Sequence, residues 1–313
     1  LYCSFVSTDL NHSQKYVKPY LSKLNEEIKF SASLLKETNL NIKSVYIGGG
    51  TPTSITENEL ESLLDALHSN FDLSKINEFC VEAGRPDTIT KGKLLALKNY
   101  GVDRISINPQ SMNEKTLKLI GRSHTPEDIK NAFSLAREVG FKTINADVIA
   151  ALPGETLEDF IYTLNEIEKY SPENITVHTM SIKRGSALHQ SLSGYDLTKR
   201  ETAEAMLDFS QEFMKETSRL PYYMYRQKNM MGNLENVGYS KEGHFSEYNI
   251  NIMEEVLSIL ALGAGGSGKV VSRNKERIER VFNFKGPIEY ISRFDEILEK
   301  KKEFLSLLKE LNK

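Results

Sequence analysis

The chain has 313 residues, which is enough for one large α/β domain or two modest ones. Hydrophobic residues make up 39% and charged residues 27%, with no run near the ~18 apolar residues of a membrane span, so the composition is that of a globular enzyme. The net charge of −3 excludes a strongly basic nucleic-acid surface, and two cysteines exclude a disulfide framework and favour a cytoplasmic location.

Strand and helix patterns alternate through the first 180 residues. The first helix is predicted over 17–36, with Pro19 in its first turn. Further helices are predicted at 57–68, 91–100, 125–140 and 156–170, and strands at 44–47, 78–84, 103–109, 142–150 and 174–180. Single helices between strands indicate parallel βαβ units, so we expect a partial (β/α)6-type barrel.

The pattern changes after a predicted helix at 199–218. Residues 220–240 are aromatic, basic and rich in Gly and Asn, which predicts irregular or β structure, and residues 287–313 are helical in pattern. We therefore expect a barrel domain over 1–218 and a C-terminal α/β elaboration over 219–313 that covers the substrate.

Unusual polar or glycine-rich sequences follow each of the five predicted strands: GGGTPT, EAGRPD, NPQS, DVIAALPG and TMSIKRG. Parallel strands bring their carboxyl ends to one edge, where functional residues collect. Each sequence alone is ordinarily a turn, a cap or an ion pair. Five of them on successive strand ends predict the rim of a single site.

The side chains at this rim suit one kind of ligand. The glycines permit close backbone approach, and Glu82 can accept hydrogen bonds from an ammonium group or ribose hydroxyls. Arg122 can hold a carboxylate and Asp147 a ribose diol, while Gln110 lies between Glu82 and Arg122 in the chain. S-adenosylmethionine is such a ligand, since it carries an amino group, a carboxylate, a ribose and a base.

These motifs resemble the radical S-adenosylmethionine enzymes of the oxygen-independent coproporphyrinogen III oxidase family. The resemblance is carried by YIGGGTPT, VEAGRPDT, RISINPQSMN, IGRSH, NADVIAALPGET and YYMYRQKNMMGNLENVGY, in that order along nearly the whole chain. The last motif is the most specific, and it is most similar to the branch called coproporphyrinogen dehydrogenase HemZ.

The family's cluster motif is C-x-x-x-C-x-aromatic-C, whose three thiolates hold a [4Fe–4S] cluster. Tyr2 and Cys3 match its end, which implies that Tyr2 flanks the cluster and that Cys3 is an iron ligand, with two ligands and one strand lying upstream of Leu1. We expect this chain to be unable to assemble the cluster, and hence to be inactive. Cys80 lies in mid-strand and is predicted to be a core residue.

The resemblance also implies a set of residues that contact S-adenosylmethionine. They are Gly49, Gly50, Thr51, Glu82, Gln110, Arg122 and Asp147. The family has a second S-adenosylmethionine site, and the sequence leaves open how these residues divide between two molecules.

The implied substrate is a porphyrinogen of heme biosynthesis. Its propionate side chains lose hydrogen and CO₂ and become vinyl groups. The resemblance also implies an electron donor as partner. Cationic and aromatic candidates for its binding are Lys183, Arg184, Tyr222, Tyr223, Tyr225, Arg226 and Lys228. An ordinary surface loop is the alternative for this stretch. A heme-binding chaperone and a radical enzyme acting on another substrate remain alternative functions.

GAGGSGKV, residues 263–270, nearly matches a nucleotide-binding loop. Val270 stands where that motif needs a Ser or Thr for Mg²⁺, so we exclude a nucleotide-hydrolysing role. Lys269 could still face an anion.

Overall fold

A computed structural model describes residues 10–38, 40–181, 198–226 and 234–312 of the chain. Its helices are α1 (Leu10–Leu35), α2 (Glu57–Asn70), α3 (Lys91–Asn99), α4 (Glu114–Leu119), α5 (Pro126–Val139), α6 (Leu157–Glu168), α7 (Arg200–Glu216), α8 (Glu247–Met253), α9 (Pro287–Ser292) and α10 (Phe294–Leu311). Its strands are β1 (Ser44–Ile47), β2 (Glu78–Gly84), β3 (Arg104–Gln110), β4 (Thr143–Ala150), β5 (Asn174–Thr179), β6 (Leu220–Tyr225), β7 (Asn236–Ser240), β8 (Ser267–Val271) and β9 (Ile278–Phe282).

Strands β1 to β7 form one sheet in the order β1-β2-β3-β4-β5-β7-β6. The pairs β2–β3, β3–β4 and β4–β5 are parallel, whereas β7 is antiparallel to β5 and β6 is antiparallel to β7. The parallel part curls into a half-barrel, which confirms the predicted α/β class. The described parts of the predicted irregular or β segment 220–240, strands β6 and β7, supply the antiparallel edge.

Helices α2, α5 and α6 begin at capping boxes that the sequence encodes locally. Thr56, Thr125 and Thr156 each accept a side-chain hydrogen bond from the backbone N–H three residues on, and the acidic side chain at that position accepts one from the backbone N–H of the threonine. Gly140 ends α5 in the left-handed conformation with φ 89°, as predicted. These caps fix where the helix after each strand begins.

The two faces of the sheet differ in chemistry. Val81, Ile105, Val148 and Val177 are fully buried, and helices α5 and α7 contact strands β3, β4 and β5. The residues that alternate with them are polar, including Glu82 and its register neighbour Ser106, and Asp147 and its neighbour Thr176. Because successive side chains of a strand point to opposite faces, one face is an apolar core and the other a polar surface. We call the second the polar face.

A buried ion pair joins the starts of β2 and β3. Arg104 Nε lies 3.9 Å from Glu78 Oε1, and the guanidinium also donates to Asn174 Oδ1 and to the carbonyl oxygen of His244. Ser246 Oγ donates to Glu78 at 2.8 Å. Because the charges are paired and hydrogen-bonded, the network can remain buried and fix the register of these strands.

The chain divides into two compact units. The first holds the described residues of Tyr46–Ser54 and Glu78–Ile250, including most of the sheet. The second holds those of Val6–Val45, Ile55–Asn77 and Asn251–Lys313, including α1, α2, α9, α10 and the β8–β9 hairpin. The predicted boundary between residues 218 and 219 stays a prediction.

The sequence prediction does not include the helices α4 and α8, and two further details differ from it. Pro19 was expected in the first turn of its helix, but α1 begins at Leu10 and contains Pro19 in its interior. The strand β9 was missed because its sequence, IERVF, carries two charges in five residues. Among the described residues, no helix combines the length and the apolar character needed to cross a membrane.

Candidate functional site

The glycine motif follows β1, and its backbone is held firmly beside the end of β2. Thr53 Oγ1 donates to the carbonyl oxygen of Ala83 and lies 2.7 Å from Thr88 Oγ1, and Lys93 Nζ donates to the Thr53 carbonyl at 2.6 Å. Thr51 packs beside Gly84, where an added Cβ would lie 3.1 Å from its Cγ2. The loop is therefore fixed by contacts on the β2 side.

The other side of the glycine motif is open. Gly49 has φ 117°, and an added Cβ on Gly49 or Gly50 would meet no atom of the described residues within 4 Å. Gly48 differs, because its Cβ would lie 2.5 Å from Tyr46 Cε1 and 3.0 Å from Glu82 Oε1. Gly48 permits packing within the site, while Gly49 and Gly50 leave their backbone accessible to a ligand.

Glu82 lies at the centre of the polar face. Its carboxylate accepts hydrogen bonds from Tyr46 O–H and from the backbone N–H of Gly49. Burial and then the negative charge of Asp147 raise the pKa of Glu82 to about 7, although its hydrogen bonds and nearby His178 oppose the shift. Such a carboxyl is poised to exchange its proton for a cationic ligand near neutral pH.

Asp147, His178 and Tyr225 extend this site toward β6. Asp147 Oδ1 lies 3.7 Å from His178 Nε2, and the Tyr225 hydroxyl lies 3.2 Å from His178 Nδ1. His178 thus lies between Asp147, which is predicted to bind the ribose, and Tyr225, which is predicted to contact the substrate.

Asn145 fixes the orientation of Asp147. Its Nδ2 donates to Ser106 Oγ at 2.8 Å and to Asp147 Oδ1 at 2.7 Å, and its Oδ1 accepts from Thr176 Oγ1 at 3.0 Å. Because both ends of the amide are used, the side chain of Asp147 is held by a network that spans β3, β4 and β5.

Gln110 ends β3 in an unusual state. Its backbone has φ 70°, a left-handed conformation that costs a non-glycine residue free energy, and its side chain is 6% exposed. Its Oε1 is buried without a hydrogen-bond partner in the part of the chain that the structure describes. A buried acceptor left unpaired is costly, so this oxygen is suited to a ligand donor.

Arg122 lies in the loop between α4 and α5 and is half-buried. Two residues later, the fully buried ring of His124 places Nε2 3.2 Å from the carbonyl oxygen of Pro109. Burial lowers the pKa of His124, so the neutral ring donates this bond at neutral pH. The contact ties the Arg122 loop to the end of β3.

Tyr223 and Tyr225 place parallel aromatic rings on the polar face, with centroids 6.3 Å apart and an interplanar angle of 4°. The Tyr223 hydroxyl lies 3.2 Å from Thr176 Oγ1. Tyr222 packs edge-on against Tyr223, with ring centroids 4.7 Å apart and an interplanar angle of 69°, and Asn249 Nδ2 donates to its hydroxyl at 3.1 Å.

Replacing Gly238 by alanine is expected to displace the Tyr223 ring. An added Cβ would lie 1.8 Å from Tyr223 Cε1, so the ring or the strand must move, at a cost of about 1–3 kcal/mol in unfolding free energy. Denaturant titration measures this cost. Gly286→Ala is the matched control, since among the described residues its Cβ would meet Glu289 Cβ alone, at 3.9 Å. Equal effects of the two substitutions would contradict the prediction.

Some predicted site residues lie elsewhere or outside the described residues. Arg226 pairs with Glu235 at 2.6 Å and lines a cavity of about 270 Å³ together with Val177 and Leu207, so it lies away from the polar face. Lys269 donates to the carbonyl oxygen of Ile252 and lies 3.6 Å from Glu255, while burial lowers its pKa. Outside the described residues lie Tyr2, Cys3, Lys183, Arg184 and Lys228.

The structure brings Gly49, Glu82 and Asp147 together and adds partners that sequence reasoning missed. The missed residues are Tyr46, Asn145, Thr176 and His178. Each of the four lies two residues from another polar residue on the same strand. Because residues i and i+2 of a strand share a face, this alternation is a sequence signal that could have identified them.

Cys80 is the one cysteine among the described residues. Cys80 is buried in β2, as predicted, and burial raises the pKa of its thiol. Within the described ranges, no group of three or more His, Cys, Asp or Glu side chains could hold a metal ion.

Comparison with known proteins gives consistent results. The chain is 43% identical over 305 residues to the oxygen-independent coproporphyrinogen-III oxidase-like protein HemZ of Bacillus subtilis (strain 168), covering 97% of this chain and 61% of that protein. It is 34% identical over 168 residues to the heme chaperone HemW of the same organism, covering 53% of this chain and 44% of that protein.

Among solved structures, the coproporphyrinogen III oxidase HemN of Escherichia coli has the same fold. The TM-score is 0.70 at 21% identity, over 95% of this chain and 66% of that chain. The chain thus spans about six-tenths of the length of HemZ and two-thirds of HemN. A model of the Radical SAM superfamily matches residues 1–167, and the chain therefore belongs to this superfamily.

Proposed function

We propose that this chain is the S-adenosylmethionine-binding and substrate-binding part of an oxidoreductase that converts propionate side chains of coproporphyrinogen III to vinyl groups without oxygen. The observation that carries the proposal is the polar face, where Glu82 and Asp147 lie beside an exposed glycine backbone. The 43% identity to HemZ supports the choice of substrate.

The donors and acceptors of this face fit S-adenosylmethionine. Glu82 and the open backbone of Gly49 and Gly50 suit the ammonium and carboxylate of the methionyl part, and Asp147 suits the ribose hydroxyls. The unpaired Gln110 oxygen supplies one more acceptor. When bound, S-adenosylmethionine supplies the adenosyl radical that removes hydrogen from the substrate.

The residues of this chain do not fit the three-thiolate cluster of the superfamily. The 313-residue sequence contains two cysteines, and one of them, Cys80, is buried in β2. We therefore derive no step through the cluster, and we propose that this chain alone does not assemble it.

The aromatic pair of Tyr223 and Tyr225 is proposed to receive the substrate. Parallel rings offer an apolar surface to a pyrrole, and the Tyr225 hydroxyl beside His178 offers polar contacts to a propionate. This chain's residues orient the propionate and shield it from water. The net loss from each side chain is one hydrogen atom and CO₂, with one electron passed to an acceptor.

The decisive experiment measures CO₂ release from coproporphyrinogen III under anaerobic conditions. The protein tested is this chain extended upstream of Leu1 by a segment that supplies the two further cysteines of the motif, reconstituted with iron and sulfide and supplied with S-adenosylmethionine and a reductant that acts as electron donor. We expect a vinyl product, and Tyr225→Ala should raise KM more than tenfold, because truncating a buried aromatic contact removes about 1.5–3 kcal/mol. The control is Met224→Ala, the exposed neighbour in β6. Equal effects of the two variants would refute the assigned binding surface.

A heme chaperone is the second candidate, favoured by the 34% identity to HemW. Titration of the same protein with heme, followed by its visible spectrum, distinguishes the two. Tight heme binding without CO₂ release would favour the chaperone and refute the oxidoreductase.

A further inference from the structure

The left-handed conformation of Gln110 needs outside support. At φ 70° a glutamine is strained, and its Oε1 is buried without a partner among the described residues. Backbone strain and an unpaired buried oxygen each cost free energy, and they persist in one residue only where its surroundings hold it in that conformation. The question is which side chains do so.

The peptide that precedes Gln110 is held by His124. His124 is buried, with its side chain 0% exposed, and its Nε2 donates at 3.2 Å to the carbonyl oxygen of Pro109. That carbonyl belongs to the peptide unit joining Pro109 to Gln110, so the bond sets the plane from which the Gln110 φ angle is measured.

The residue that follows Gln110 is held by a buried cluster on α6 and its preceding turn. Ser111, which is 0% exposed, donates its hydroxyl to Glu155 Oε1. The backbone N–H of Asn113 donates to Ser111 Oγ at 3.0 Å, and that of Met112 donates to Thr163 Oγ1 at 3.0 Å. Three consecutive residues after Gln110 are thereby fixed.

We propose that Glu155 and His124 are positioning residues that hold Gln110 in this conformation and so present its amide oxygen to an N–H or O–H donor of bound S-adenosylmethionine. The inference rests on the proposed function. Neither residue touches the ligand, since both act through the backbone on either side of Gln110.

The test is a double-mutant cycle on S-adenosylmethionine affinity, measured by isothermal titration calorimetry on the whole chain. Gln110→Ala and Glu155→Ala should each weaken binding about tenfold, or about 1.4 kcal/mol. The double variant should bind no more weakly than Gln110→Ala, because holding an absent amide has no effect. Glu155→Gln should restore affinity, since it keeps an acceptor oxygen for Ser111.

Ser246→Ala is the control for lost stability, because it removes a buried partner of Glu78 in a separate network. It should lower stability and leave affinity unchanged. Additive effects of Gln110→Ala and Glu155→Ala, or weaker binding by Ser246→Ala, would overturn the proposal.

A crystal structure of Glu155→Ala separates this inference from the proposed function. We expect the Gln110 φ angle to leave the left-handed region. If Gln110 stays near φ 70°, the positioning role is refuted, whatever the ligand. If instead the wild-type chain shows no binding, the proposed function fails and with it the ligand named here, while the φ angle still decides the positioning role.

Discussion

Replacing Lys301 by methionine is expected to lower the unfolding free energy by about 3–5 kcal/mol, because it leaves the charge of Glu27 buried and uncompensated. Glu27 is 0% exposed, and Lys301 Nζ lies 3.0 Å from its Oε1. This expectation concerns the second unit, where α1 and α10 carry the two residues.

The network around Glu27 explains why the effect should be large. Tyr290 donates its hydroxyl to Glu27 at 2.6 Å, Asn283 donates Nδ2 at 2.9 Å, and the backbone N–H of Gly263 donates at 2.7 Å. Lys301 also donates to Asn283 Oδ1 at 3.0 Å. Removal of the ammonium group thus leaves a charged carboxylate with neutral donors only.

Two control variants accompany the Lys301→Met experiment, all measured by urea titration. The pair Glu27→Gln with Lys301→Met removes both charges and should recover most of the lost stability. Lys309→Met breaks an ion pair with Glu37 in which both side chains are about half exposed, and it should cost less than about 1 kcal/mol. Equal losses in Lys301→Met and Lys309→Met would show that the buried charge is unimportant.

The sequence predicts the sheet well because its strands are short apolar runs separated by capped helices. The strand 78–84 and the helix that Thr125 begins and Gly140 ends match the structure at those residues. Local patterns sufficed there because apolar burial and backbone capping act over a few residues.

The polar face was only partly predictable. Glu82 and Asp147 stand out at strand ends, whereas His178 was read only as part of a strand. Arg226 directly follows Tyr225, the last residue of β6, yet it lines the cavity beside Val177 and lies away from the polar face.

Long-range partners carry no local signal. Glu27 and Lys301 come from helices near opposite ends of the chain, and each lies on the buried face of its own helix, but the sequence pattern does not show which partner either one meets. Only tertiary packing makes them a buried pair. The same holds for Ser111 and Glu155, which meet because the turns after β3 and β4 adjoin.

Replacing Asp147 by asparagine is expected to lower the pKa of Glu82 below its value of about 7. The negative charge of Asp147 is one cause of the raised value, although burial is the larger one and remains in the variant. The pKa of Glu82 should therefore fall without reaching the ordinary value of 4.5. Carbon-13 NMR titration of the glutamate carboxyls measures the change without any ligand.

Asp147→Asn is also expected to change how the free energy of unfolding depends on pH. A carboxyl whose pKa is raised in the folded state adds stability that is present below pH 4.5 and is lost as the pH rises through about 7. Asp147→Asn lowers the folded-state pKa of Glu82 and so shortens the pH range over which this stability is lost. Between pH 4.5 and about 7, the variant should therefore lose less stability than the wild type. A wild-type pH profile in the variant would contradict the coupling between the two carboxyls.

Asp147→Asn should also weaken S-adenosylmethionine binding ten- to a hundredfold, because hydrogen bonds to a charged carboxylate contribute about 1.5–3 kcal/mol. Asp208→Asn is the matched control, since Asp208 lies on α7 beside the cavity that Arg226 lines. Calorimetry should show wild-type affinity for Asp208→Asn. If Asp147→Asn lowers the pKa of Glu82 yet binds the ligand as tightly as the wild type, Asp147 shapes the electrostatics of the face without contacting the ribose.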